Sequence, residues 1–122
     1  MWLPIMGLII GLLIGSLFTF SIPLAYASYL AIAILAALDS LLGGWHAVLT
    51  NKFDGLTMLT GFFINALIAA LLAFLGDVVG LDLYLAAVIA FGIRIFNNIA
   101  NIRHCLIDNH RNKKKQKELA LK

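Results

Sequence analysis

Two opposite charges, Asp39 and Arg94, interrupt long apolar stretches of this chain, and each lies ten residues past a tyrosine. Those tyrosines open the identical triplets Tyr29-Leu30-Ala31 and Tyr84-Leu85-Ala86, offset by about 55 residues, a spacing to be read first as an internal repeat. A lone charge in hydrocarbon costs roughly 3 kcal/mol or more. A carboxylate and a guanidinium at equivalent positions of two repeats therefore point to an ion pair joining the halves. Arg94, Asn97, Asn98 and Asn101 follow the spacing i, i+3, i+4, i+7, which is one helix face. His104, Cys105 and Asp108 extend it. On lipid these groups would be unsatisfied, so the stripe is expected to face protein or water.

Such a stripe supports two kinds of chemistry. It can be a hydrogen-bonded, ion-paired interior that fixes helix register, or a path for an ion, a proton or a small substrate. A carboxylate held beside a permanently charged guanidinium is a poor proton carrier, and asparagine titrates nothing. The structural reading is therefore preferred, with transport as the alternative. No nucleophile elbow, H-E-x-x-H, P-loop or paired-carboxylate arrangement occurs, so the expectation is a non-enzymatic protein. His46, His104 and His110 are too scattered for a ligand set, and the lone Cys105 has no metal spacing. No metal or cofactor is expected.

The elements that must hold these residues follow from composition. The chain has 122 residues, 62% hydrophobic and 12% charged, with mean hydropathy +0.99. A soluble domain of this size needs far more polar covering. Four stretches, about 2–20, 29–49, 56–75 and 83–106, approach the roughly 20 residues that cross a bilayer core. The expected fold is an all-α membrane protein with four transmembrane helices over residues 1–106, arranged as two parallel-repeated helical hairpins. Beyond the tyrosine triplets, Ile9, Leu12 and Leu17 fall on Ile64, Leu67 and Leu72, and Gly11 and Gly15 fall on Ala66 and Ala70. Asn65, the strong polar group of the third span, joins Asn97, Asn98 and Asn101 in the expected polar interior. Parallel repeats would relate the first span to the third and the second to the fourth, placing Asp39 and Arg94 at one depth.

Gly7, Gly11 and Gly15, at four-residue spacing, form a small-residue face on which another backbone can approach closely. Gly43 and Gly44 are expected to pack in the same way. The small chain would enclose only a narrow interior, so a homo-oligomer or a membrane-protein partner is expected. Pro23 breaks the first span from the second. Ala25-Tyr26-Ala27 resembles a signal-peptidase site, but no Lys or Arg precedes the apolar run, which is read as a span. Asn51, Asp54 and Gly55 mark one turn and Gly76 to Asp82 the next.

The net charge of +3 is concentrated in residues 107–122, where Arg111, Lys113, Lys114, Lys115 and Lys117 form a basic tail. It is expected to be disordered or a fraying helical extension, to lie on the cytoplasmic side, and to touch anionic lipid headgroups. Four spans then put both termini in the cytoplasm, the Lys52 turn inside and the acidic Asp77/Asp82 turn outside. The tail lacks aromatic interleaving, so nucleic acid is not expected as a partner.

Trp2-Leu3-Pro4, the glycine run, Ala36-Ala37-Leu38-Asp39-Ser40-Leu41-Leu42-Gly43-Gly44 and Gly61-Phe62-Phe63-Ile64-Asn65 together resemble the bacterial small basic protein family. So do Leu81-Asp82-Leu83-Tyr84-Leu85-Ala86 and Ala90-Phe91-Gly92-Ile93-Arg94-Ile95-Phe96-Asn97-Asn98-Ile99-Ala100. The resemblance covers residues 1 to about 106. It implies a multi-pass protein of the bacterial plasma membrane, encoded near cell-division and envelope genes. It implies no biochemical activity and no site.

Overall fold

The computed structural model describes residues 2–18 and 21–122, and in them every regular element is helical. Helix α1 runs Trp2–Leu17. A 3-10 turn at Leu24–Tyr26 leads into α2, Ala27–Leu49; α3 is Gly55–Val79 and α4 is Tyr84–Ala120. Three of these stretches, Leu24–Leu49, Gly55–Val79 and Tyr84–Ala120, are long and apolar enough to cross a membrane.

Local chemistry sets the helix boundaries. Beyond α2, Asn51 takes a left-handed φ of 57°, a conformation that asparagine tolerates better than most residues. The Lys52 N–H then reaches back to the Ala47 carbonyl at 2.8 Å. Asp54 caps α3, accepting from the Leu56 N–H and from the Thr57 hydroxyl. The Thr57 hydroxyl and the Leu56 N–H hold the Asp54 carboxyl below its usual range. At the other end of α3, Gly80 has φ 74°, and the Leu81 N–H donates to the Gly76 carbonyl at 2.9 Å.

Helix α2 is the centre, with α3 and α4 both packed on it. The core consists of Ile32 and Ala36 from α2, Ala69 and Ala73 from α3, and Ala87 and Phe91 from α4. Four of the six are alanines, whose small side chains let the backbones come close, the device on which helix packing in lipid depends. Tyr29 Oη donates to Asp77 Oδ2 at 2.9 Å and ties the start of α2 to the end of α3. A Cβ on Gly44 would stand 2.6 Å from Met58 Sδ, so α2 and α3 run antiparallel in close contact.

Helix α1 departs from the expected plan. Its 16 residues span roughly 24 Å at 1.5 Å per residue, short of a bilayer core of about 30 Å. Thr19 and Phe20, counted in the expected first span, lie outside the described residues. The described large apolar side chains of α1 are exposed, Leu12 at 66% among them. Gly7, Gly11 and Gly15 have nothing within 4 Å of a Cβ position, so the glycine face makes no packing contact with the described residues. Ile5 and Leu8 border α2 across an open apolar gap beside Leu41 and Trp45. α3 is packed on α2, whereas α1 has no equivalent seat on α4, so the two-hairpin repeat is not reproduced in the packing. The physical reason is local: the alanines that seat α3, Ala69 and Ala73, fall at the repeat offset on Ile14 and Phe18, so α1 lacks the small residues that let α3 come close.

The chain reversal after α3 depends on Gly76. A Cβ there would collide with the Leu81 carbonyl oxygen and stand 2.9 Å from the Leu83 N, and backbone cannot swing aside as a side chain can. Gly76→Ala is expected to cost about 1–3 kcal/mol. Gly61→Ala, where nothing lies within 4 Å, is expected to leave stability within about 0.5 kcal/mol. Thermal unfolding in one detergent measures both; equal midpoints would contradict the assignment.

Candidate functional site

The structure brings Asp39 and Arg94 together. Arg94 Nη2 lies 3.0 Å from Asp39 Oδ2, and Asn98 Nδ2 donates to Asp39 Oδ1 at 3.5 Å. The carboxylate thus meets a different donor at each oxygen. Asp39 and Gly43 of α2 face Arg94 and Asn98 of α4 in the same order, so these two helices run parallel. Gly43 lies beside the pair, where a Cβ would make an ordinary contact of 3.6 Å with Asn98 Nδ2.

The pair is unequal. The Asp39 side chain is 1% exposed and that of Arg94 53%. The carboxylate is sealed between helices, while the guanidinium lies along a cleft and reaches in with one nitrogen. That cleft, of about 210 Å³, is lined by Asp39, Ser40, Asn65 and Arg94 at its inner end and by Lys52, Asp54 and Thr57 near the α2–α3 turn. A second, nearly apolar cleft of about 180 Å³ lies between α3 and α4, lined by Ile68, Leu72, Ala86 and Ala90. Asn65 and Arg94 border both clefts and form the partition between them. An uncharged solute in the first cleft would meet donors and acceptors of both signs. In the second it would meet methyl and methylene groups.

The expected polar interior divides. Asn98 is half-buried on the carboxylate and Asn65 is half-buried between the clefts, but Asn97 and Asn101 are exposed. Successive helical residues stand about 100° apart, so Asn97 and Asn98 cannot both face α2. The buried residues Ala87, Phe91 and Ile102, with half-buried Asn98, define the inward line of α4. Gly44 lies close against Met58, and Gly43 lies beside Asn98. Of the two expected forms of residues 107–120, the structure has the helical extension: α4 continues through Arg111, Lys113, Lys114, Lys115 and Lys117 to Ala120, all of them exposed. The sequence reading missed the Tyr29–Asp77 link and the part of Ser40, Lys52, Asp54 and Thr57 in the cleft. The clustering of Lys52, Asp54 and Thr57 in one turn was the available signal.

Comparison with known proteins places this geometry in a lineage. Residues 22–107, which hold α2, α3, the ion pair and both clefts, match the family described as "Protein of unknown function (DUF1290)". The chain belongs to that family. It is 48% identical over 118 residues to the "Small basic protein" of Bacillus subtilis, covering 97% of this chain and 98% of that one. It is 39% identical over 104 residues to "Uncharacterized protein Mb1855" of Mycobacterium bovis, covering 84% and 86%. "Uncharacterized protein Rv1824" of Mycobacterium tuberculosis matches to the same degree. No solved structure matches.

The unequal burial of the pair sets the order of its variants. Arg94→Leu strands a sealed carboxylate and is expected to cost about 3–5 kcal/mol. Asp39→Asn keeps the shape and leaves a guanidinium that the cleft can hydrate, and should cost about 1.5–3 kcal/mol. Exchanging the two charges places a long guanidinium in the sealed position, so the double swap should recover less than half of the loss. Folded protein recovered from membranes, by fluorescence size-exclusion chromatography, measures the order. An Asp39→Asn loss larger than that of Arg94→Leu would contradict it.

Proposed function

We propose that this chain is a non-enzymatic integral protein of the bacterial plasma membrane that works as an interaction module in an envelope or cell-division assembly. The observation that carries this reading is the buried carboxylate of Asp39, held by Arg94. The one buried carboxylate among the described residues is committed to Arg94 and Asn98 within the chain, while most large apolar side chains face outward. The polar centre therefore serves to lock helices, and the exposed surface is left for lipid and partners. The connection to envelope or division assemblies rests on the resemblance of the sequence to small basic proteins.

In this reading the basic end of α4 and the Lys52 turn are cytoplasmic, and the Asp77/Asp82 turn lies outside. Helix α1 acts as a fourth span, bringing the N-terminus to the cytoplasmic side. Purification in a mild detergent followed by native mass measurement should find a homo-oligomer or a stable membrane-protein complex. A strictly monomeric chain without a partner in every gentle condition would sink the reading.

A second reading, a small oligomeric transporter of ions or metabolites, is favoured by the cleft that leads from the α2–α3 turn to Asp39, Asn65 and Arg94. Reconstitution separates the two. Transport requires solute flux into proteoliposomes that disappears with Asn65→Leu, and the module reading expects none.

The basic end of α4 is expected to bind anionic lipid, each Lys or Arg near such a surface contributing about 1 kcal/mol. Replacing Lys113, Lys114, Lys115 and Lys117 with Gln should weaken partition of a residue 107–122 peptide onto phosphatidylserine vesicles at least a hundredfold. The same changes in the full chain should leave its unfolding midpoint in detergent unchanged.

A further inference from the structure

The polar cleft beside the ion pair carries more positive hydrogen-bonding capacity than the chain itself uses. Its acids are committed. Asp39 meets Arg94 at one oxygen and Asn98 at the other, while Asp54 gives one oxygen to the Leu56 N–H and the other to the Thr57 hydroxyl. Its bases are not. Arg94 spends Nη2 on Asp39, and the rest of its donor fork has no acceptor among the described residues, with 53% of the side chain exposed. Lys52, at the α2–α3 end of the same cleft, is exposed and has no side-chain partner among them. Half-buried Ser40 and Asn65 add a hydroxyl and an amide that are equally unengaged.

That remainder decides the sign of an occupant. Carboxylates whose oxygens already accept hydrogen bonds have little left for a cation, and no metal-holding cluster of His, Cys, Asp or Glu occurs among the described residues. The free edge of a guanidinium is a planar set of donors that matches a carboxylate or a phosphate with two parallel bonds. Room is sufficient: the cleft volume of about 210 Å³ is several times the roughly 30 Å³ share of one water.

Polarity along the groove decides the kind of anion. From the α2–α3 turn inward the walls carry Lys52, Asp54, Thr57, Ser40 and Asn65, and only beyond Arg94 does the nearly apolar second cleft begin. Asp39, which Arg94 meets, stands ten residues before the end of α2, about 15 Å below the turn. A phospholipid with its charge at the turn would lay its chains along the polar stretch and leave Arg94 unmet. A small ion entering from water meets Lys52 first and Arg94 last, drawn along a cleft whose uncommitted charge has one sign.

We propose that this cleft is a binding site for a small water-soluble oxyanion, a carboxylate or a phosphate, seated on the free edge of Arg94 beside Asn65 and Ser40 and admitted past Lys52. The site goes beyond the module reading, which needs no ligand. It leaves the Asp39 salt bridge in place, because the anion takes the donors that Asp39 does not.

The test is chemical modification of the full-length chain in a nonionic detergent with phenylglyoxal, which attacks accessible guanidinium groups. Arg103 and Arg111, exposed on α4 and outside the cleft, are the internal references. Peptide mass spectrometry reads each arginine separately. Inorganic phosphate, or acetate in a second arm, should slow modification of Arg94 at least tenfold relative to Arg103 and Arg111, and chloride at equal ionic strength should not. Lys52→Gln alters an exposed side chain, so the unfolding midpoint should hold while the half-protecting concentration rises at least fivefold. Asn65→Leu should raise it as far. An Arg94 that resists modification without any anion has no free edge and overturns the proposal. Equal slowing at every arginine, or protection that neither variant weakens, overturns it as well. Protection by phosphatidylglycerol with none from either soluble ion would give the site to lipid and overturn it too. The module reading is judged by native mass without added anion, which none of these outcomes touches.

Discussion

A carboxylate sealed from solvent among apolar helices constrains everything around it. The Asp39 side chain is only 1% exposed, so its charge must be met within a few ångströms by groups that cannot withdraw. Arg94 and Asn98 do this from one side of α4, a turn apart. That requirement fixes the register of α4 against α2, because a slide of one residue along either helix turns the donors away. It also limits the distance between the axes, and the small Ala36 of α2 and Ala87 of α4 are buried on this side. Helix α3 then closes over the pair from α2, seated on Ala69 and Ala73 and clamped at its ends by the Tyr29–Asp77 bond and the Gly44–Met58 contact.

The pairing was legible in the sequence because depth in a helix is arithmetic: ten residues past matching tyrosines puts two charges level, and the cost of burying either alone demands the other. Helix type and approximate length were legible for the same reason, since apolar runs bounded by Asn, Asp and Gly leave few alternatives. Sidedness was not. Asn97, Asn98 and Asn101 share a face broadly, yet about 100° separates the asparagine on the carboxylate from its neighbour. Only the position of α2 decides which one turns inward. The seat of α1 was equally illegible. An offset that matches leucine to leucine says that two segments have a common pattern, and says nothing about whether Ile14 and Phe18 can take the seats that Ala69 and Ala73 fill. The helical state of the tail was left open between two forms, because composition reports on solvation more directly than on backbone conformation.

Asn65 and Arg94 give the interior a second property. They separate a polar cleft open toward the α2–α3 turn from an apolar one facing the other end of the bundle. Structural and transport readings diverge at this partition. For a locked module it is the place where leftover donors of the guanidinium are hydrated. For a conduit it would have to part, and parting means taking a counterion from a carboxylate that has nothing in its place but one long hydrogen bond from Asn98. The energetic weight therefore falls on the closed state.

Helix α4 is unbroken from Tyr84 to Ala120, without a proline or a described kink between the ion pair and the lysines. It is mechanically a crankshaft. The guanidinium at one level and the basic cluster several turns below are set at fixed angles on the same rod, so neither can swing without the other. The salt bridge to Asp39 is the point at which this rod is held against α2.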